Sequence, residues 1–492
     1  MSQPPSLYRH PKGLYLLFST ELWERFGFYT IQAILILYMT KQFGFSDHDA
    51  NLLYAVYSSL LYLTPIWGGY IADRYLGFQR AIIVGGVFSA VGYFLTALPS
   101  QKTFFIGLSI LMCANGLFKP NVSSIVGELY TPGDPRRDGG FTLFYMGINI
   151  GALVPPLIAG SLVGHYGWHS GFLLAAIGML IGLVVFLMGR KRLGDAGEVP
   201  HISPLRQGKL QTARFKIRLY FSIAIISALC LLAFSAPQLT SWLIEAAGVV
   251  VALIVVYFIY REPPANRPKI WASLILTAIS VGFWALYNQT FTSLTLFADR
   301  NMVPYFLGFP VNASTMQFFN PLFIILLSPL LSSFWVKLSR HNINPGFPIK
   351  FAWGVTFVTA GFLLLPLGIK FFAHNNLLPA SWLVMNYFLQ TIGELLLSPV
   401  GLSMITILVP KHLVGRMMGV WFFAQAASFA LGGAVANLAA IPDTLDKALS
   451  LQIYYHAFWV FGLISLVLTV ISFLLVPFLK RLIAREHECK MS

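Results

Sequence analysis

Charge is what this sequence has least of. Asp, Glu, Lys and Arg make up 10% of its 492 residues, against about 25% in soluble domains, and 57% of the chain is hydrophobic. That balance excludes a water-soluble class and reads as a polytopic membrane protein. Acidic charge is scarcer still, with 18 Asp and Glu against 33 Lys and Arg and a net charge of +15. Nucleic-acid binding would need the basic residues clustered on one soluble face, whereas here they fall in short loops between apolar runs. Cysteine is limited to Cys113, Cys230 and Cys489, too few and too scattered for a disulfide framework or a metal site. GGYIADRYLG has glycines but no Walker Lys-Ser/Thr, so an ATP-driven mechanism has no support. Metal-ligand spacings and nucleophile–base sets are also missing, and no enzyme activity and no cofactor are expected. The first apolar segment is long, holds three charges and lacks a small-residue cleavage site, so no cleavable leader is expected.

What is present is a series of apolar runs. They fall at about 14–39, 51–73, 80–99, 103–128, 141–164 and 170–189, then at 219–237, 240–260, 270–297, 314–336, 350–372, 380–409, 417–440 and 452–479. Each approaches the ~20 residues that cross a bilayer as a helix. The expectation is an all-α membrane protein of fourteen transmembrane helices with both termini on one side. Counting alternate loops together with the termini, 26 of the 33 Lys and Arg lie on one face, including Arg9, Arg485 and Lys490 at the ends. The opposite face holds Lys41, Lys102, Arg300, Lys370 and Lys447. The positive-inside rule then puts both termini in the cytoplasm.

The polar stretch from Arg190 to Arg218, with Gly194, Gly197, Pro200 and Pro204, reads as a cytoplasmic linker. The expected organisation is a six-helix bundle over 1–189, this linker over 190–218, two additional helices within 219–268, and a second six-helix bundle with a cytoplasmic tail over 269–492. Six plus six is the pattern of membrane carriers built from two repeats around a midplane site. A weak internal repeat agrees. TPIWGGYIADRYLG at Thr64–Gly77 aligns with SPLLSSFWVKLSRH at Ser328–His341 through Pro65 and Pro329, and NGLFKPN aligns with ELLLSPV through Pro120 and Pro399.

The charges inside apolar runs carry the chemistry. Glu21, Glu24 and Arg25 stand in the first run, spaced so that all three share one side of a helix. Charges at that depth are expensive and usually functional. They read either as a self-neutralising structural cluster or as a relay for protons or solute. The repeat places Lys119 opposite Ser398 and Asn115 opposite Glu394, a cation on one wall of a central cavity and an anion on the other. Such a bipolar site suits a zwitterion, and a dipeptide or tripeptide spans roughly 7 to 11 Å at the extended rise per residue. The competing reading pairs Lys119 permanently with Glu21 or Glu24. Polar and aromatic residues surround these charges: Tyr29, Tyr62, Tyr145, Asn149, Trp284, Tyr287, Asn288, Gln289, Asn320 and Trp421. Asn149 and Asn320 are candidates for gripping a backbone amide or carboxylate, or for bonding helix to helix.

Four motifs in order resemble a family. ELWERFGFY at Glu21–Tyr29 is similar to the helix 1 signature of the proton-dependent oligopeptide transporters, a branch of the major facilitator superfamily. GLFKPNVSSIVGELY at Gly116–Tyr130, FYMGINIG at Phe144–Gly151 and GELLLS at Gly393–Ser398 resemble their helix 4, 5 and 10 motifs. The likeness covers essentially the whole chain and is nearest to the gamma-proteobacterial dipeptide and tripeptide permeases. It implies the major facilitator fold, alternating access, and proton-coupled uptake of dipeptides and tripeptides by a multi-pass monomer in the bacterial cytoplasmic membrane. It assigns Glu21, Glu24, Arg25 and Lys119 to proton coupling and the peptide carboxylate, and Glu394 to the amino terminus with Ser398 nearby. Tyr29, Tyr62, Tyr145, Asn149, Trp284, Asn288, Asn320 and Trp421 would contact peptide, and Asp73 and Arg74 look like the cytoplasmic gating turn.

The chain departs from the family pattern at its extracellular gate. An arginine and a glutamate that pair there in many members are replaced by Gln32 and Asn288, so a neutral hydrogen bond is expected, and the proton role moves to Glu21 and Glu24. Phe28 replaces a tyrosine of the helix 1 signature, and Phe429 stands where relatives often carry an Asn. The alternatives are a carrier of another anionic or zwitterionic solute on the same fold, and a nutrient receptor that binds peptide without moving it.

Overall fold

Long apolar runs can satisfy their backbone hydrogen bonds in lipid only as helices, and the computed structural model is built almost wholly of them. It describes residues 10–131, 134–200, 203–206, 209–341, 343, 345–442 and 446–484. Cys489 and the terminal basic residues Arg9, Arg485 and Lys490 lie outside that set. The first series is α1 (Lys12–Lys41), α2 (Asp47–Ile71), α3 (Phe78–Thr96), α4 (Gln101–Glu128), α5 (Arg137–Tyr166) and α6 (Trp168–Gly189). Two helices follow, α7 (Lys209–Ser235) and α8 (Pro237–Arg261). The second series is α9 (Arg267–Tyr287), α10 (Ser293–Asn301), α11 (Ala313–Met316), α12 (Phe319–Arg340), α13 (Phe347–Phe372), α14 (Ala380–Leu408), α15 (Val414–Ala436) and α16 (Lys447–Ala484).

With α9–α10 and α11–α12 each counted as one broken span, the described residues hold the fourteen expected segments. Twelve are long and apolar enough to cross a membrane by length and composition. The other two, α1 and α2, have the length but carry the charged and polar residues on which the site is built. The only strands described are β1 (Tyr305–Phe306) and β2 (Phe309–Pro310), a hairpin whose turn residues Leu307 and Gly308 take φ of 51° and 84°. Both turn positions having positive φ is the geometry that two-residue hairpins favour.

Two boundaries differ from the hydropathy reading. Helix α7 begins at Lys209 rather than 219, because KLQTARFKIR is a polar extension of the helix that an apolar count does not register. The linker is therefore shorter than 190–218. Nor is it a loose tether: Gln79 Nε2 donates to the Ala196 carbonyl at 2.6 Å, Gly197 N–H to Glu128 Oε2 at 2.6 Å, and the Ser203 hydroxyl to the Tyr75 carbonyl. The ninth run is interrupted: a 3-10 turn over Asn288–Phe291 follows α9, and Thr292 (φ −121°, ψ −95°) breaks the axis before α10.

The chain packs as two units, residues 1–35 with 60–236, and 36–59 with 237–492. This differs from the expected partition at the additional helices, which do not form a domain of their own. Helix α7 belongs to the first unit, where Phe105 meets Phe234 at 5.0 Å between ring centres and Cys113 Sγ lies 3.8 Å from the Ile223 carbonyl. Helix α8 belongs to the second, where Gly248 leaves room for Phe423 of α15. The prolines paired by the internal repeat fall inside α2 and α12 (Pro65, Pro329) and inside α4 and α14 (Pro120, Pro399).

Candidate functional site

In the first unit the site is organised around the middle of α1. Glu21, Glu24 and Arg25 are all buried, at 2%, 4% and 3% exposure. The i,i+4 spacing points to a Glu21–Arg25 pair, and that contact exists, at 3.4 Å from Arg25 Nε to Glu21 Oε1. The tighter partner is the sequence neighbour: Arg25 Nε and Nη2 reach the two oxygens of Glu24 at 2.5 and 2.6 Å. A two-pronged guanidinium–carboxylate pair is the strongest geometry available to these groups. It leaves Glu21 the less satisfied carboxylate, and its Oε2 is buried without a hydrogen-bond partner among the described residues. The guanidinium carbon also lies 4.5 Å from the ring centre of Phe28. Phenylalanine in place of the signature's tyrosine therefore gives Arg25 an aromatic face and no hydroxyl.

The glycines of the neighbouring motif explain how this cluster is enclosed. A Cβ at Gly151 would overlap the Leu22 carbonyl and stand 3.0 Å from Arg25 Cβ, and one at Gly147 would lie 2.9 Å from the Phe18 ring. Two glycines four apart give α5 a groove in which α1 sits at its charged turn. Helices α2 and α4 approach as closely at Gly68 and Gly116. Thr64 donates to the Met112 carbonyl at 2.6 Å, and Asn115 to the Leu61 carbonyl at 2.9 Å. That crossing sets Lys119, one turn beyond Asn115, with its amine 4.8 Å from the Tyr62 ring centre. Among the described residues Lys119 has no carboxylate within ion-pair distance. The permanent pairing of Lys119 with Glu21 or Glu24 is thus not what the chain adopts.

The second unit carries a carboxylate of the opposite character. Glu394 Oε2 accepts hydrogen bonds from Tyr287 Oη at 2.7 Å and Asn320 Nδ2 at 2.8 Å. Both bonds end on one oxygen, and Oε1 has no protein donor among the described residues. No Lys or Arg pairs with Glu394 there either. Gly393, just before it, lets α14 meet α13 at Gly354: a Cβ on Gly393 would stand 2.7 Å from the Gly354 carbonyl. One face of α14 packs backbone to backbone while the next residue presents its carboxyl to α9 and α12. Asn320 also donates to Thr391 at 3.1 Å, so it is a helix-to-helix bond that fixes Glu394. Tyr287 and Thr391 are the additions that the assigned residues lacked. The signal for Thr391 lay in its place three residues before Glu394, on the same helical face.

The remaining candidates sort by what they touch. Trp284 Nε1 and Asn288 Nδ2, one turn apart along α9 and its 3-10 extension, are buried donors without acceptors among the described residues. Trp284 stacks edge-on with Tyr287 at 5.1 Å. Asn149 is buried and donates to the Tyr145 carbonyl of its own helix at 2.9 Å, while Tyr145 is 43% exposed. Tyr29 of α1 and Ser398, one turn beyond Glu394, are half-buried. Trp421 is 4% exposed and packs over Gly401, where a Cβ would collide with its ring. It is engaged with α14. Gln32 is buried in the first unit and Asn288 in the second. Asp73 and Arg74 lie exposed in a π-helical turn over Ala72–Leu76, where Arg74 donates to the Tyr70 hydroxyl at 3.2 Å. No group of three His, Cys, Asp or Glu able to hold a metal ion occurs among the described residues.

Residues 79–451 match the family described as the POT family. The chain is 35% identical to dipeptide and tripeptide permease B of Edwardsiella piscicida, over 97% of each chain. It is 36% identical to dipeptide and tripeptide permease A of Enterobacter sp. (strain 638), over 98% of this chain and 95% of that one. Among solved structures it resembles a variant of the peptide transporter POT in complex with alafosfalin, at a TM-score of 0.84 and 35% identity over 97% of both chains. It also resembles a POT family transporter in complex with 5-aminolevulinic acid, at a TM-score of 0.83 and 30% identity over 96% of this chain and 98% of that one.

Proposed function

Because this chain belongs to the POT family, we propose that it carries dipeptides and tripeptides into the bacterial cell together with protons, by alternating access of a major facilitator fold in the cytoplasmic membrane. One observation carries the assignment of residues: among the described residues the first unit holds an amine, Lys119, without a carboxylate, and the second holds a carboxylate, Glu394, without a cation. A peptide zwitterion supplies the missing counter-charge of each. Its carboxylate goes to Lys119 and Arg25, and its ammonium to the open oxygen of Glu394. Trp284 Nε1 and Asn288 Nδ2 are buried donors suited to the peptide's carbonyl oxygens. The ligand 5-aminolevulinic acid, bound by a relative, likewise carries an amine and a carboxylate on one short chain.

Coupling to protons follows from the charge of the α1 cluster. Glu21, Glu24, Arg25 and Lys119 sum to zero. When a peptide carboxylate occupies Lys119, the remaining three carry one net negative charge in an apolar setting, where uncompensated charge is costly. One proton restores neutrality. Glu21 Oε2 is the atom suited to receive it, since it lacks a donor while Glu24 is held by Arg25 on both oxygens. Proton and peptide binding then favour each other, as any linked pair of equilibria must.

Competition tests the substrate class. Uptake of a labelled dipeptide by the purified protein in proteoliposomes should be suppressed by unlabelled dialanine and untouched by nitrate. Suppression by nitrate alone would make this a carrier of small anions.

A further inference from the structure

Outside the site, the first unit has a cleft of about 590 Å³ between the end of α2, the π-helical turn, the short 3-10 segment Pro204–Arg206 and the opening turns of α7. Its walls include Trp67, Tyr70 and Tyr75 on one side and Arg214, Phe215 and Arg218 on the other. Arg214 and Arg218 are four apart, so both guanidiniums lie on one face of α7. Both are exposed, and neither has a carboxylate partner among the described residues. The aromatics form a connected row: Tyr70 meets Tyr75 at 6.1 Å between ring centres, and Tyr75 meets Phe215 at 5.9 Å. Beneath them Leu219 and Ile223 pack with Leu76 and Leu117 into a closed apolar cluster.

The position of this cleft along the helix decides its ligand. Arg218 is the last charged residue before the apolar stretch of α7, of which 17% is buried within the protein, so most of that stretch meets lipid. Tyr220 and Phe221, two and three positions after Arg218, are 52% and 66% exposed, and Ile66 of α2 is 54% exposed on the other rim. Two uncompensated guanidiniums thus sit at the border of the hydrocarbon, flanked by the Trp and Tyr side chains that favour the headgroup layer. The loops on this side carry most of the chain's Lys and Arg. Guanidinium forks match phosphate geometry, basic pockets between membrane helices recognise acidic headgroups, and the volume lies in the range of small-molecule clefts, roughly 300–1,000 Å³.

We propose that this cleft is a binding site for one anionic glycerophospholipid of the cytoplasmic leaflet, with the lipid phosphate held by Arg214 and Arg218 and the acyl chains lying along the exposed faces of α2 and α7. The bound lipid would fasten α7 and the segment after Pro204 to the end of α2, beside the Asp73–Arg74 turn.

The test is native mass spectrometry of the delipidated full chain in a neutral detergent, titrated with phosphatidylglycerol or phosphatidylcholine. The expected result is one lipid retained with phosphatidylglycerol and far weaker retention of phosphatidylcholine. Each arginine near a charged leaflet contributes about 5-fold in affinity, so Arg214→Gln with Arg218→Gln should weaken phosphatidylglycerol by roughly 25-fold. Arg214→Lys with Arg218→Lys, which keeps both charges, should retain most of it. Equal retention of the two lipids by the unaltered protein would overturn the proposal, as would unchanged phosphatidylglycerol affinity in a folded glutamine pair. Displacement of the lipid by glycerol phosphate at equal concentration would assign the cleft to a soluble anion instead.

Discussion

Arg300 grips Asp47 with two hydrogen bonds of 2.5 and 2.7 Å across 253 positions of the chain. Asp47, at the start of α2, is 1% exposed, and its Oδ2 also accepts the Ile441 N–H at 3.0 Å. Arg300 Nη1 reaches the Tyr454 hydroxyl at 3.2 Å. Together with Lys41–Asp299 at 2.6 Å, this pair explains why residues 36–59 pack with the second unit although α1 begins, and α2 ends, in the first.

Breaking a mostly buried ion pair from one side strands the other charge, at a cost of about 3 kcal/mol. Arg300→Gln and Asp47→Asn should each lower the melting temperature of the purified protein markedly. The two together should cost less than the sum of the separate losses. Strict additivity would show that the pair contributes nothing as a pair.

Glu394→Gln keeps the shape and the hydrogen bonds from Tyr287 and Asn320 to a carbonyl oxygen, but removes the negative charge. Binding of peptides with a free amino terminus should weaken at least tenfold, about 1.4 kcal/mol, while N-acetylated peptides should lose little. Equal losses for both classes, measured by calorimetric titration, would take Glu394 out of the ammonium site.

Glu21 and Glu24 should separate in function although they are three residues apart. Glu21→Gln should abolish gradient-driven uptake yet leave counterflow of peptide across the membrane partly intact, since exchange needs no net proton movement. Glu24→Gln removes the two-pronged partner of Arg25 and should impair both. Loss of counterflow in Glu21→Gln would make the whole cluster structural.

A methyl group at Gly151 would meet the backbone carbonyl of Leu22, which cannot swing aside as a side chain can. Gly151→Ala should destabilise the protein by roughly 1–3 kcal/mol and reduce uptake with it. Gly69→Ala, where the added carbon meets nothing within 4 Å, should be near neutral in a thermal melt.

The sequence makes some of these features legible and hides others, for physical reasons. Glu21, Glu24, Arg25, Lys119 and Glu394 stand out because charge inside an apolar run has few structural uses. The helices are legible for the same reason, except where they leave the hydrocarbon: the first turns of α7 are polar and read as linker. Spacing does not reveal the preference of Arg25 for Glu24, because a long, flexible side chain lets these sequence neighbours pair more tightly than Glu21 and Arg25 do at i,i+4. Pairing over long sequence distance, as between Asp47 and Arg300, has no local signature. The packing of Trp421 over Gly401 has no local signature either, and the break at Thr292 is silent because its neighbours remain good helix formers in lipid.

The central claim is tested most directly by uptake of a labelled dipeptide into proteoliposomes holding the purified protein, with and without an inward proton gradient. The account predicts accumulation above equilibrium that collapses when a protonophore is added. Equilibration at the same level with and without the gradient would contradict it, leaving a peptide pathway to which Glu21 and its neighbours couple no proton.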